Sequence, residues 1–262
     1  MKIIVCIKQV PDTNKVEVDP VTGVLKRNGV DSKMNPYDLY AIESAMRLKE
    51  KHGGSVAVIS MGPPQAETII REAFSLGADE GVLLTDRAFA GADVLATSRA
   101  LSEGIKLIGD FDLIICGKQS TDGDTAQVGP EISEWLGLPS VTNVTNILEA
   151  DDGYITVTRE MPTATETLKL KYPCIISVEK DIYIPRLPSY LKKMATKDRP
   201  IRIASLKDLA DNSPEHYGLN GSPTQVQRIF PPESNTDRES WSGSSEEISE
   251  RIATKLKELK FI

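Results

Sequence analysis

The 262-residue sequence predicts an α/β fold: a doubly wound, mostly parallel sheet with an antiparallel extension and an extended C-terminal arm. Three observations predict it. Apolar runs of strand length alternate with helical periodicity through about the first 140 residues, an order that builds a parallel sheet with helices on both faces. After Pro139 the pattern turns to period two, the mark of strands with one wet face. From Ile182 onward long apolar runs disappear, and proline, lysine, serine and asparagine become frequent. These shifts place one domain at 1–182 and a second region at 183–262.

Each element has its own reason. Residues 2–7 are apolar at nearly every position, as in a strand buried on both faces. Val16 to Arg27 alternates on both sides of a Pro-Val-Thr-Gly turn, which suggests a hairpin insertion. Asn35-Pro36 opens a helix, because Asn is a good N-cap and Pro is preset for the first turn. Leu39, Ile42, Ala45 and Met46 follow at helical spacing, and Gly53 marks the end. Residues 55–61 make a second buried strand, closed by Gly62-Pro63-Pro64. Residues 65–76 are helical, with Ile69, Ile70, Ala73 and Leu76 inward and Gly77 as the stop. Val82 to Leu84 is a short strand, and residues 92–108 form a helix whose apolar positions are Val94, Leu95, Leu101, Ile105 and Ile108. Residues 113–116 are a strand that delivers the chain to a Gly-rich polar loop, Gly117 to Gly129. A helical pattern runs from Glu131 to Leu136, with Pro130 in or just before its first turn.

Residues 143–150 and 153–160 alternate around Asp151-Asp152-Gly153 and form an antiparallel hairpin. Residues 166–172 also alternate, and 174–180 is another apolar strand; all are expected in the antiparallel extension of the same sheet. Residues 211–245 carry turn-forming sequences, with Val226, Ile229 and Phe230 in an otherwise polar tract. Glu246 to Leu259 regains helical periodicity through Ile248, Ile252, Leu256 and Leu259. An arm ending in an amphipathic helix that packs on something else is the simplest account; a flexible tail is the alternative.

Composition narrows the function class. A formal net charge of −7 argues against nucleic-acid binding. No apolar stretch reaches the roughly 18 residues of a membrane span, and the N-terminus reads as a buried strand without a cleavage site. Cys6, Cys116 and Cys174 sit in apolar strand-like runs without metal-type spacing, as small buried hydrophobes in a reducing, cytoplasmic setting. His52 and His216 have no acidic, serine or cysteine partner at recognisable spacing. Trp135 falls on the apolar face of a helix and is expected in the core, whereas Trp241 could anchor an interface. Lys192, Lys193, Lys197 and Arg199 could meet a carboxylate or phosphate, though solvated lysines on a linker are the commoner case.

Parallel sheets bind ligands at the carboxyl ends of their strands, where strand order reverses. Four segments leave strands there: Lys8 to Asp12, Met61 to Pro64, the turn after Leu84, and Gly117 to Gly129. The last has the order strand, Gly-bearing loop, helix start, in which backbone N–H groups can point at an anion. Thr121, Thr125 and Gln127 add neutral donors. Asp122 and Asp124 oppose direct phosphate binding unless their side chains turn away. An ordinary strand-to-helix connection, capped by Asp124 or Thr125, is the other reading, since neither the Rossmann dinucleotide pattern nor a Walker loop is present.

Four separated segments carry a resemblance: VCIKQVPD at 5–12, SKMNPYDLYAIESAMRLKE at 32–50, SMGPPQAE at 60–67 and GKQSTDGDTAQVGP at 117–130. The chain resembles the β subunit of electron transfer flavoproteins over almost its whole length. That resemblance implies a Rossmann-like sheet of the adenine-nucleotide-binding type, a heterodimer with an α subunit, and a C-terminal arm that embraces it. By position, the family's nucleotide contacts map onto Cys6, Asn35, Pro36, Tyr37, Asp38 and Met61. They map also onto Asp122, Gly123, Asp124, Thr125, Ala126, Gln127, Val128 and Gly129, and on toward Ser133. Arg186, Leu187, Pro188 and Tyr190 fall in the family's recognition loop for a partner dehydrogenase.

In housekeeping members the nucleotide is a structural AMP; in bifurcating members it is a second FAD that accepts hydride from NADH. DGDTAQVGP and GLNGSPTQVQRIFPP resemble the bifurcating group. The resemblance then implies that one electron goes to ferredoxin or flavodoxin and the other, through the α-subunit FAD, to an acyl-CoA or related flavin dehydrogenase. It gives the pyrophosphate to the amides of residues 123–129 and the adenosine to Asn35 to Asp38. No catalytic side chain is then needed in this chain, because flavin supplies the reactivity. A reading of another class, an adenine-nucleotide-binding sensor module, shares the alternating pattern; the extended tail distinguishes the two.

Overall fold

A computed structural model describes residues 1–12, 32–151, 153–227 and 238–262. They divide into two compact units, one ending at residue 227 and one comprising 238–262. The hairpin expected at Val16 to Arg27 lies outside the described residues.

The first unit opens with β1 (Lys2–Cys6), a small antiparallel pair β2 (Gln9–Pro11) and β3 (Ser32–Met34), and α1 (Pro36–His52). Then come β4 (Ser55–Met61), α2 (Glu67–Leu76), β5 (Glu80–Leu84), α3 (Val94–Ile108), β6 (Leu113–Gly117) and α4 (Val128–Leu136). The remaining elements are β7 (Ser140–Ala150), β8 (Tyr154–Met161), β9 (Ala164–Lys171), β10 (Cys174–Val178), α5 (Tyr190–Ala195) and β11 (Arg202–Ala204). Nine of these strands form one sheet in the order β11-β5-β4-β1-β6-β10-β7-β8-β9. All neighbours from β11 to β7 are parallel, and the β7–β8 and β8–β9 pairs are antiparallel.

This corrects one expectation. β10 does not extend the antiparallel hairpin; it inserts in parallel between β6 and β7. Its five residues are all buried, as a strand covered on both faces requires.

Alternate residues of β1 feed two separate cores. Ile3 and Val5 pack with Ile42, Met46, Ile70 and Phe74 of α1 and α2. Ile4 and Cys6 pack with Leu101 and Ile105 of α3 and Ile132 of α4 on the other face. The flanks of the sheet are short or charged. β11 has three residues, and β9 exposes Lys169 and Lys171 while Glu166 pairs with Arg159.

Residues beyond 182 continue the first unit up to Gln227. Tyr217 is fully buried among the α3-side core and stacks edge-on against Phe89 at 5.6 Å. The second unit holds α6 (Ser245–Glu258), started by a reciprocal Ser244–Glu247 capping box. Within it Lys255 bonds Glu239 at 2.6 Å, while Ile252, Leu259 and Phe261 are exposed.

Candidate functional site

From β1 the chain adds β4 and β5 on one side, then crosses back to place β6 on the other. Strand order therefore reverses between β1 and β6, and the crevice at their carboxyl ends is where such sheets hold ligands. The segments that meet there are residues 6–8, the start of α1, and the loop from Gly117 to Gly129.

Asn35 joins them. It precedes Pro36 at the start of α1, as its sequence context predicts, but its side chain does not cap the helix. Its Nδ2 donates instead to Asp38 Oδ1 (2.8 Å) and to the Gln119 carbonyl (2.9 Å), and its Oδ1 accepts from the Thr121 N–H (3.2 Å). Only 1% exposed, Asn35 thus pins the entrance of the loop to the start of α1. Asp38, 5% exposed, also accepts the Lys8 N–H at 2.7 Å. Burial pushes its carboxyl up to about 7, against the opposing pull of these donors and of the Lys8 charge. Gly117 allows the approach, because a Cβ there would lie 2.6 Å from Asp38 Oδ1 and 2.7 Å from the Tyr37 carbonyl carbon.

The loop itself has an uncommon backbone. The N–H groups of Gly123 and Asp124 both turn back to the Ser120 carbonyl, at 3.4 and 2.9 Å. Asp124 (φ 50°) and Ala126 (φ 55°) are left-handed without being glycine, at a cost of about 1–2 kcal/mol each. Gln127 returns to the right-handed region and precedes α4. Such left–right alternation makes successive amides converge on a concavity suited to an anion. Among the described residues, the N–H groups of Thr125, Ala126, Gln127, Val128 and Gly129 have no hydrogen-bond acceptor. Neither Asp124 nor Thr125 caps the helix, because the left-handed residues carry the loop on to Gln127. Pro130 falls in the first turn, where no helical N–H bond is lost.

Both loop carboxylates are engaged elsewhere. Asp122 accepts from Lys8 Nζ at 2.7 and 2.8 Å; burial alone would raise its pKa, but the Lys8 bond and charge carry it below the usual value. Asp124 Oδ1 accepts from the Gln119 amide at 2.8 Å. The unpaired amides and the diverted carboxylates fit a phosphate-bearing group.

Of the other sequence-nominated positions, Cys6 ends β1 directly opposite Cys116 of β6. The Cys116 thiol contact and burial hold the Cys6 thiol well above its usual pKa, so it is a neutral, apolar wall. Pro36 and Tyr37 are half-buried at the start of α1, and Met61 ends the adjacent strand β4 without a hydrogen bond to the loop. The sequence reading counts Lys8 and Gln119 only as members of strand-end segments and gives neither a role of its own. Lys8 carried a usable signal, being the first charged residue after β1 at the sheet's carboxyl edge.

A second constellation surrounds residues 182–195. Arg186 binds Glu43 (Nε–Oε2 2.7 Å) and Glu50 (Nη1–Oε1 2.5 Å) of α1, and the Ser189 N–H donates to the Ser75 carbonyl of α2 at 3.1 Å. Burial alone would raise the Glu43 carboxyl, but bonds from Arg186 and Arg47 hold it below its usual pKa. Between these anchors Leu187 stands 87% exposed, with Ile184, Tyr190 and Leu191 also exposed and Pro188 beside them.

Three further expectations change. Trp135 is not core: it is 38% exposed, donates to Ser98 Oγ at 3.0 Å and lies under the Arg99 guanidinium. His216 does have an acidic partner, Asp211 Oδ2 at 2.8 Å, and Arg99 bonds the same carboxylate. Arg199 is not a solvated linker charge: it donates to the Ala78 carbonyl at 2.6 Å and lies over the Phe74 ring. Among the described residues no group of three potential ligands could hold a metal, and no helix is long and apolar enough to cross a membrane.

The electron transfer flavoprotein domain model matches residues 22–209. The chain is 45% identical over 258 residues to an electron transfer flavoprotein subunit beta of Thermoanaerobacterium thermosaccharolyticum, covering 98% of each chain. It is 44% identical over 264 residues to the caffeyl-CoA reductase-Etf complex subunit CarD of Acetobacterium woodii, covering all of both. Protein FixA of Azorhizobium caulinodans is 42% identical over 244 residues, 91% of this chain and 87% of that one.

Proposed function

Because this chain belongs to the electron transfer flavoprotein β-subunit family, we propose that it is the redox subunit of an αβ heterodimer and holds FAD at the loop between β6 and α4. The observation that carries this reading is the run of unpaired N–H groups from Thr125 to Gly129 at the point where strand order reverses. Bound there, FAD would supply hydride acceptance from NADH and one-electron delivery, to ferredoxin or flavodoxin on one branch and through the α-subunit FAD to an acyl-CoA or related flavin dehydrogenase on the other.

The residues of this chain bind and orient. The amides of residues 125–129 grip the pyrophosphate, and Asn35, Pro36, Tyr37 and Asp38 flank the adenosine. Cys6 and Met61 line the apolar floor and keep water from it. The loop at Arg186, Leu187, Pro188 and Tyr190 meets the dehydrogenase, an assignment supported by its exposed apolar residues and fixed ends. Residues 1–182 would carry the nucleotide and 183–262 the partner contacts, with α6 laying its apolar stripe on the α subunit. The likeness to a subunit of a reductase–Etf complex supports a dehydrogenase or reductase partner. The three buried free cysteines support a cytoplasmic setting.

Flavin stoichiometry tests the reading. Two FAD per purified αβ complex, with flavin bleached by NADH, is the expected result. One FAD plus one AMP would instead make the complex a housekeeping carrier and remove the NADH branch.

A further inference from the structure

We propose that Lys8 is the counter-ion that makes this acidic loop tolerate an anion, through cancellation of the Asp122 carboxylate rather than through tethering of the loop. The inference rests on the nucleotide reading above. Two carboxylates crowd this corner, Asp122 and Asp124 within the loop, above the buried carboxyl of Asp38. Unopposed, they would repel a phosphate brought to the neighbouring amides. The neutral Gln119 amide meets Asp124, and Lys118, the nearest basic residue in sequence, is held by Glu179 at 2.5 Å. Lys8 brings its positive charge to Asp122, whereas Asp38 is met by main-chain and amide N–H groups. The Lys8 Nζ lies 2.7 and 2.8 Å from the two Asp122 oxygens, and its N–H donates to Asp38 at 2.7 Å.

Tethering is already served by other groups. Asn35 bonds both Gln119 and Thr121, and the Ser120 carbonyl closes the turn over Gly123 and Asp124. The Lys8–Ser120 Oγ contact is long, at 3.4 Å. What Lys8 adds is its positive charge. Its side chain is 47% exposed, so its replacement leaves the core untouched.

A double-mutant cycle in the full chain, in its αβ complex, separates charge from tether, with AMP and FAD as titrants in calorimetry. Lys8→Met should weaken nucleotide binding about tenfold at low salt. Combined with Asp122→Asn, the same change should leave binding within about twofold of wild type, because no carboxylate remains to be cancelled. The gap between wild type and Lys8→Met should narrow as salt screens the loop. Asp122→Asn alone, which frees the Lys8 charge, should bind more tightly than wild type; a loss like that of Lys8→Met would make the pair a tether and overturn the proposal, as would a Lys8→Met complex that binds like wild type. A wild-type complex that binds neither AMP nor FAD would overturn the nucleotide reading itself.

Discussion

Asn35 shows how a residue can satisfy its local signal and still be used for something else. Asn before Pro reads as a helix cap, and α1 does begin there, yet the side chain reaches residues 84 and 86 positions away in sequence. No local pattern encodes that reach; it exists only once β1 and β6 are neighbours. Trp135 was misread for the same reason, since Ser98 and Arg99 come to it through the fold, whereas the acidic partner of His216, Asp211, lies only five residues away and was open to a local reading. Asp38 gives the residue-scale prediction. Its carboxyl stands at about 7 in the folded chain against 3.8 as the ordinary value, so the folded state binds the proton more tightly. Its contribution to stability is therefore full below about pH 4, fades as pH rises toward 7, and is lost above it, a change on the order of 4 kcal/mol. Asp38→Asn cannot titrate. Urea denaturation of both proteins should show the wild type losing stability relative to the variant between about pH 4 and pH 7. Parallel profiles would mean that Asp38 keeps an ordinary carboxyl pKa.

Among the elements, the alternating strands and helices were legible because each buried face imposes its own period. β1, β4, β6, α1, α2 and α3 all appear where apolar spacing put them. The sheet position of β10 was not legible, since its nearest strands in sequence are antiparallel and only its unbroken apolar run pointed elsewhere. α4 starts at Val128, three residues before the apolar pattern from Glu131 shows, with Pro130 in its first turn as expected, and no glycine announces the left-handed backbone at Ala126. The junction of β6 with α1 yields a second prediction. Gly117→Ala brings a methyl group within 2.7 Å of both the Tyr37 backbone and the buried Asp38. The start of α1 must shift to admit it, at about 1–3 kcal/mol, and nucleotide affinity should fall with it. Thermal melting and AMP titration of the variant check this; an unchanged melting point would mean that the junction yields freely.

Across the whole molecule, composition marks a change of character after Ile182, and the compact sheet-bearing unit runs past it to Gln227. The polar tract after Ile182 hides Tyr217, Leu206 and Leu209, which bind residues up to 227 to the sheet-bearing unit through buried contacts. A chain ended after Gln227 should accordingly melt within a few degrees of the full protein, because that unit keeps both of its cores. The same truncation removes α6, and co-purification with the α subunit should be lost. Retained complex would show that the last 35 residues (262 − 227) do not serve as the arm. The blunted flanks of the sheet, with three-residue β11 at one end and lysine-bearing β9 at the other, carry a different consequence. Neither flank invites a stranger's main chain to zip alongside it, so fibre-like growth has no starting point there. Recognition is left to side chains, and a partner must match their shape and charge.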